Sequence, residues 1–167
     1  MPDHTCPTCG GTLDAHHRNV RFTLPDPVLD LPDQERSPDV WMSHDTPVES
    51  VMMQVKDVGC FIRVLLPIHL EDGDKLTYGV WLGVPDEKLH EAFAVWWGDP
   101  DVYRNLRLDG LLANTIQPWG LLGTPVIATV LDPDQTPYCT ESPDHLMTRI
   151  LHDTWPHDEA AAHLPDR

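Results

Sequence analysis

The chain has 167 residues, 41% of them hydrophobic, which suits one domain with its own core and is too apolar for a disordered polymer. Lysine and arginine number 11 against 27 aspartates and glutamates, and a net charge of −16 disfavours nucleic-acid backbones and anionic lipid as partners. No apolar run approaches the ~20 residues that span a bilayer, and the opening Met1-Pro2-Asp3-His4-Thr5-Cys6 lacks the basic and apolar stretches of a signal peptide, so a soluble, cytoplasmic protein is expected.

In chain order, residues 1–19 form a polar head bearing Cys6, Cys9, His16 and His17. Residues 20–47 carry Pro25, Pro27, Pro32, Pro38 and Pro47 among acidic side chains and read as an irregular proline-rich wrap, with one short strand at 20–24. The texture changes at Glu49. The runs 51–56, 60–66 and 76–82 are rich in β-branched and aromatic residues, and the turns Asp57-Val58-Gly59 and Glu71-Asp72-Gly73-Asp74 separate them, which predicts an antiparallel meander.

Pro85-Asp86-Glu87 then opens a helix, with proline and acid where the free N–H groups favour them. Leu89, Phe93 and Trp96 recur at helical spacing as its expected buried face, and Gly98-Asp99-Pro100 ends it. Two more β-rich runs cover 108–116 and 124–131. A second helix is expected with Ser142 as its cap and Pro143 in its first position, burying Leu146, Met147, Ile150 and Leu151. The expected class is α+β: an antiparallel meander sheet with two helices packed on it. The chain reads as a single domain over 1–167, with its core at 48–155 and a tail at 156–167.

The four cysteines are Cys6, Cys9, Cys60 and Cys139, and without an export signal they suit reduced thiols or metal ligands better than a disulfide frame. Cys6-Pro7-Thr8-Cys9-Gly10 is half of a zinc knuckle: two thiolates three residues apart can bind one tetrahedral ion, and Gly10 lets backbone N–H groups approach the sulfurs. Two further ligands are needed. His16 and His17 are candidates, at most one of them if the pair lies on a strand, as are His4, Cys60 and Cys139. The alternative is a turn holding two reduced cysteines.

The order of motifs from Cys6 to about Ser142 resembles a bacterial family catalogued as domain of unknown function 2199. The resemblance rests on Cys6-x-x-Cys9-Gly10, the acidic proline-rich segment, Phe61-Ile62-Arg63, Leu66-Pro67-Ile68, Gly79-Val80-Trp81 before a helix, and Gly110-Leu111-Leu112-Ala113-Asn114. It departs at Cys60, where relatives usually carry an aromatic residue, and in the distance from Cys9 to the next histidines. The resemblance implies a shared fold and no reaction.

Arg63 is a scarce cation inside an apolar run, and by strand alternation it shares a face with Phe61, where Trp81 of the next strand can stack on it. With Asn114 and Trp119 it suits a concave site for a small anionic or planar ligand. The opposing reading makes the tryptophans core residues and pairs Arg63 with a carboxylate. No nucleophile elbow, phosphate-cradling loop or dinucleotide fingerprint is present, so no nucleotide cofactor is expected. The leading expectation is a non-catalytic acidic binding or accessory protein, with a possible structural zinc, that engages a small molecule or a basic protein. The alternative is a small-pocket enzyme in which Arg63 and Asn114 position the substrate.

Overall fold

The computed structural model describes residues 19–29, 40–47, 49–71, 75–116 and 119–155. Nine strands and four helices occur among them: β1 (Asn19–Arg21), α1 (Asp26–Leu29), β2 (Val40–Met42), β3 (Met52–Val55), β4 (Gly59–Leu70), β5 (Lys75–Val84), α2 (Asp86–Trp96), α3 (Pro100–Tyr103), β6 (Arg107–Leu112), β7 (Pro125–Thr129), β8 (Tyr138–Glu141), α4 (His145–His152) and β9 (Thr154–Trp155). None of these helices is long and apolar enough to cross a membrane.

The centre is the antiparallel pair β4–β5, in register from Cys60↔Val84 to His69↔Lys75. From Cys60 to Val64 every residue of β4 is buried, because both faces of that stretch are covered, so its sequence shows no polar–apolar alternation. β3 adds to β4 with Met52↔Ile62, and β2 adds to β3 with Trp41↔Gln54, both antiparallel. On the other side β5 pairs β6, β6 pairs β7 and β7 pairs β8, all antiparallel. β8 then returns to β4 in parallel at Leu65↔Tyr138.

The ring β4-β5-β6-β7-β8 is thus closed, and the chain is a mixed α/β protein built on a five-stranded barrel. The expected antiparallel meander with two packed helices is thus only part of it: β3–β4–β5 pair antiparallel, but the sheet continues into a closed barrel and four helices occur among the described residues. The closing strand β8 is four residues long and follows Pro133 and Pro137, so nothing local marks it as a strand. Closure removes the exposed edges that an open sheet would leave at β6–β8. β1 and β9 occupy what remains of the long strands' edges, β1 parallel on β5 and β9 parallel on the far end of β4. Where β5 meets β6 the backbones are very close. A Cβ on Gly110 would lie 2.3 Å from the Gly83 carbonyl oxygen and 2.8 Å from Leu82 Cγ.

Side chains on the two faces of β4 and β5 enter different clusters. Ile62, Val64, Val80 and Leu82 join the large one, which also takes Leu89 and Ala92 from α2 and Met147, Ile150 and Leu151 from α4. Phe61 and Trp81 join a smaller one with Leu24, Val28, Met53, Val55 and Ala113. Three helix expectations are corrected, one of them Leu146, expected on the buried face of α4 and 36% exposed while Met147, Ile150 and Leu151 are buried. Phe93, expected inside, is 50% exposed, since Leu89 and Ala92 define the buried stripe and Phe93 lies roughly 40° round from Leu89. Helix α4 begins later than expected, capped by Asp144, whose side chain accepts from Met147 N at 2.9 Å. Ser142 instead donates to the Pro125 carbonyl at 2.5 Å, which fastens the chain to β7 before the helix starts.

Candidate functional site

Three of the four expected ligand-binding residues meet in one buried network. Arg63 is fully buried, and its Cζ lies 4.1 Å from the centroid of the Trp81 ring. Its Nε donates to Ser50 O at 3.3 Å, Nη2 to Pro47 O at 3.0 Å, and Nη1 to Gly79 O at 3.1 Å and to Phe22 O. Trp81 Nε1 donates to Thr23 O at 3.3 Å. Asn114, also fully buried, accepts from Trp81 N at 2.8 Å through Oδ1 and donates from Nδ2 to Leu24 O at 2.9 Å and Asp26 Oδ1 at 3.1 Å. Asp26 Oδ2 in turn accepts from the amide and hydroxyl of Thr115, each at 2.8 Å. The polar atoms of Arg63 and Asn114 therefore bind main-chain groups of the segments 22–26 and 47–50 to the barrel wall, a fastening function for a delocalised, five-donor cation.

Trp119 is not part of this network. It packs against the large cluster with its ring centroid 5.1 Å from that of Trp155, and the indole nitrogens of both are buried without a hydrogen-bond partner.

Both described cysteines are held as thiols. Burial, then the hydrogen bond and negative charge of Asp86, push the Cys60 thiol up, with Sγ donating to Asp86 Oδ1 at 3.6 Å. Burial pushes Cys139 up to about 12. A thiol kept protonated is a poor nucleophile and a poor metal ligand. Cys60 also borders a cleft of about 450 Å³ at the β4–β5–β6 junction, floored by Gly59, Gly83 and Gly110 and walled by Phe61, Asp109 and Leu111. The expected metal ligands Cys6, Cys9, His16 and His17 lie outside the described residues, as does His4. Among the described residues no group of three or more His, Cys, Asp or Glu could hold a metal ion.

The feature that sequence reasoning missed lies on the outer side of α2. Trp41, Phe93 and Trp97 are 41%, 50% and 53% exposed, and they touch in series. The Trp41 and Phe93 centroids are 5.9 Å apart at an interplanar angle of 65°, and those of Phe93 and Trp97 are 5.4 Å apart at 72°. His44 tilts against Trp97 at 6.3 Å. Edge-to-face packing of this kind holds the rings upright without burying them. Beside the Trp41–Phe93 contact lies a notch of about 230 Å³ lined by both rings and by Gln54, Leu89 and His90. The Asp86 carboxylate contacts two of these lining residues, accepting from Gln54 Nε2 at 3.0 Å and lying 3.7 Å from His90 Nδ1, while Cys60 Sγ also donates to it. The available signal was the pair Phe93 and Trp97 at i and i+4, beside a stripe that Leu89 and Ala92 already complete. Trp41 carried none, because its β-strand is three residues long and sits in the proline-rich segment.

The chain belongs to a bacterial family described as uncharacterized protein conserved in bacteria (DUF2199), whose sequence pattern matches residues 5–149. Neither a curated protein nor a solved structure matches it.

Proposed function

We propose that this member of the family is a non-catalytic binding protein that works in the cytoplasm and meets a basic protein partner through the face carrying Trp41, Phe93 and Trp97. One observation carries the reading: three large aromatic side chains, each at least 41% exposed, stand contiguously on one surface of a chain with net charge −16. Scattered surface hydrophobes are ordinary, whereas a contiguous aromatic patch with a polar rim is what protein interfaces use as anchor residues. The acid excess speeds encounter with a cationic surface and selects against acidic ones.

A photo-reactive residue at position 97, introduced in the native bacterium, should cross-link a basic protein. The purified partner should then bind in calorimetry, with affinity at least 100-fold weaker for Phe93→Asp. A partner whose affinity is unchanged by Phe93→Asp and Trp97→Asp overturns the reading.

The enzyme alternative has less support. Arg63 and Asn114, its proposed positioning residues, hydrogen-bond to main-chain carbonyl and amide groups, and the thiol beside the 450 Å³ cleft is pushed away from its reactive form. A small anionic or planar ligand beside Arg63, Trp81, Asn114 and Trp119 remains the proposal that goes with that alternative, and calorimetric titration with carboxylate and phosphate compounds tests it. We further propose that Cys6 and Cys9, with His16 or His17 and one further ligand, hold a structural zinc, since thiolate and imidazole are the donors zinc prefers. Metal analysis of the native protein should find one zinc per chain, lost in the Cys6→Ser, Cys9→Ser double variant.

A further inference from the structure

The notch that Trp41 and Phe93 border is built for more than apolar contact. We infer that it is a receptor for one lysine or arginine side chain, presented by a basic segment of the partner; the inference rests on the docking face proposed above and names what that face recognises.

The two rings meet edge to face at 65°, so a side chain lying in the notch beside their contact meets aromatic surface from both, with Leu89 also lining its path. The methylene stem of a long basic side chain matches that apolar lining, and its charged head is attracted to an aromatic face. Asp86 supplies the counter-charge. Its carboxylate accepts from Gln54 of β3 and from Cys60 of β4 and stands 3.7 Å from His90 one helical turn on, so it is held next to two of the residues that line the notch. Lys88, the cation nearest in sequence, is already paired with Glu91 at 2.5 Å. Charge complementarity selects the occupant: the chain has 27 acidic residues against 11 basic, so an acidic or neutral segment would meet no favourable field, whereas a basic one is drawn in. A volume of about 230 Å³ holds one such side chain rather than a folded element.

The test uses the full chain, with the indole N–H resonances as reporters, at roughly physiological ionic strength so that diffuse attraction is screened. The probes are an octalysine peptide and its fully Nε-acetylated counterpart. Octalysine should shift the Trp41 indole resonance saturably, and the acetylated peptide should bind at least tenfold more weakly. Trp41→Leu and Phe93→Leu keep an apolar side chain of similar reach but remove the aromatic face. Each should weaken octalysine about three- to tenfold, read from the Trp97 resonance where Trp41 is replaced, with an unchanged melting temperature because both positions are exposed. Equal binding of the two peptides overturns the cation receptor and leaves an apolar docking face standing. Octalysine binding unaltered by the leucine variants also overturns it, since charge alone would then account for the binding. If neither peptide moves Trp41, the receptor is likewise overturned, whereas the docking face itself falls only to the cross-linking and calorimetric result.

Discussion

Arg63 and Trp81 stand directly opposite each other across the β4–β5 pair, and the guanidinium lies 4.1 Å from the centre of the indole ring. The stack removes one face of the cation from water, while its N–H groups reach carbonyls of Phe22, Pro47, Ser50 and Gly79. Three stretches of chain, at 22, 47–50 and 79, thereby converge on one side chain.

Replacing Arg63 by leucine leaves those carbonyls without their donor and should cost roughly 3–5 kcal/mol, read as a lower urea midpoint. Arg63→Lys keeps the charge but loses the planar fork, and should recover less than half of the loss. A cost under about 1 kcal/mol for Arg63→Leu would show that the fastening is incidental.

Gly110→Ala should be among the most damaging of small substitutions. Its Cβ would sit 2.3 Å from a main-chain oxygen of β5, which cannot swing aside as a side chain can. The expected loss is at least about 3 kcal/mol, since β5 and β6 must separate. Gly123→Ala is the control: its φ of +81° is strained for alanine but the space is open, so roughly 1 kcal/mol is expected. Equal losses in the two melts would refute the close approach.

The buried thiol of Cys139 links stability to alkaline pH. Its folded value of about 12 lies above the ordinary 9.0, so the stabilisation is complete below about pH 9 and is lost as pH rises toward 12. Tyr103, whose phenol burial also pushes up, acts in the same direction at the upper end of that range. Thermal melts across this window should show falling stability, with a shallower fall in Cys139→Ala. An identical slope in the variant would exclude Cys139 as the linked group.

Two neighbours on α2 should respond oppositely. Leu89→Ala removes a side chain from the large cluster and should cost roughly 2–5 kcal/mol. Phe93→Gln, at a half-exposed position, should stay within about 1 kcal/mol. Comparable losses in denaturant would mean that the aromatic patch is structural.

Much of the framework was legible locally. The strands β3, β4 and β5, the turn at Asp57-Val58-Gly59 and the proline-and-acid opening of α2 follow from propensities and periods that act over a few residues. Strand alternation also placed Arg63 near Trp81. Other features depend on residues far apart in sequence. Barrel closure rests on Leu65↔Tyr138, a pairing of residues 73 positions apart made by a strand too short to announce itself. Phe93 has the spacing of a core residue, yet it is outside because Ala92 takes the inward position and Trp41, from the proline-rich segment, provides a partner on the surface. Whether Arg63 faces a ligand or the main chain was likewise undecided until residues 22–24 and 47–50 folded over it. Periodicity fixes which side of an element is apolar; only the packing of distant segments decides what that side meets, and therefore which aromatic and charged groups are left facing solvent.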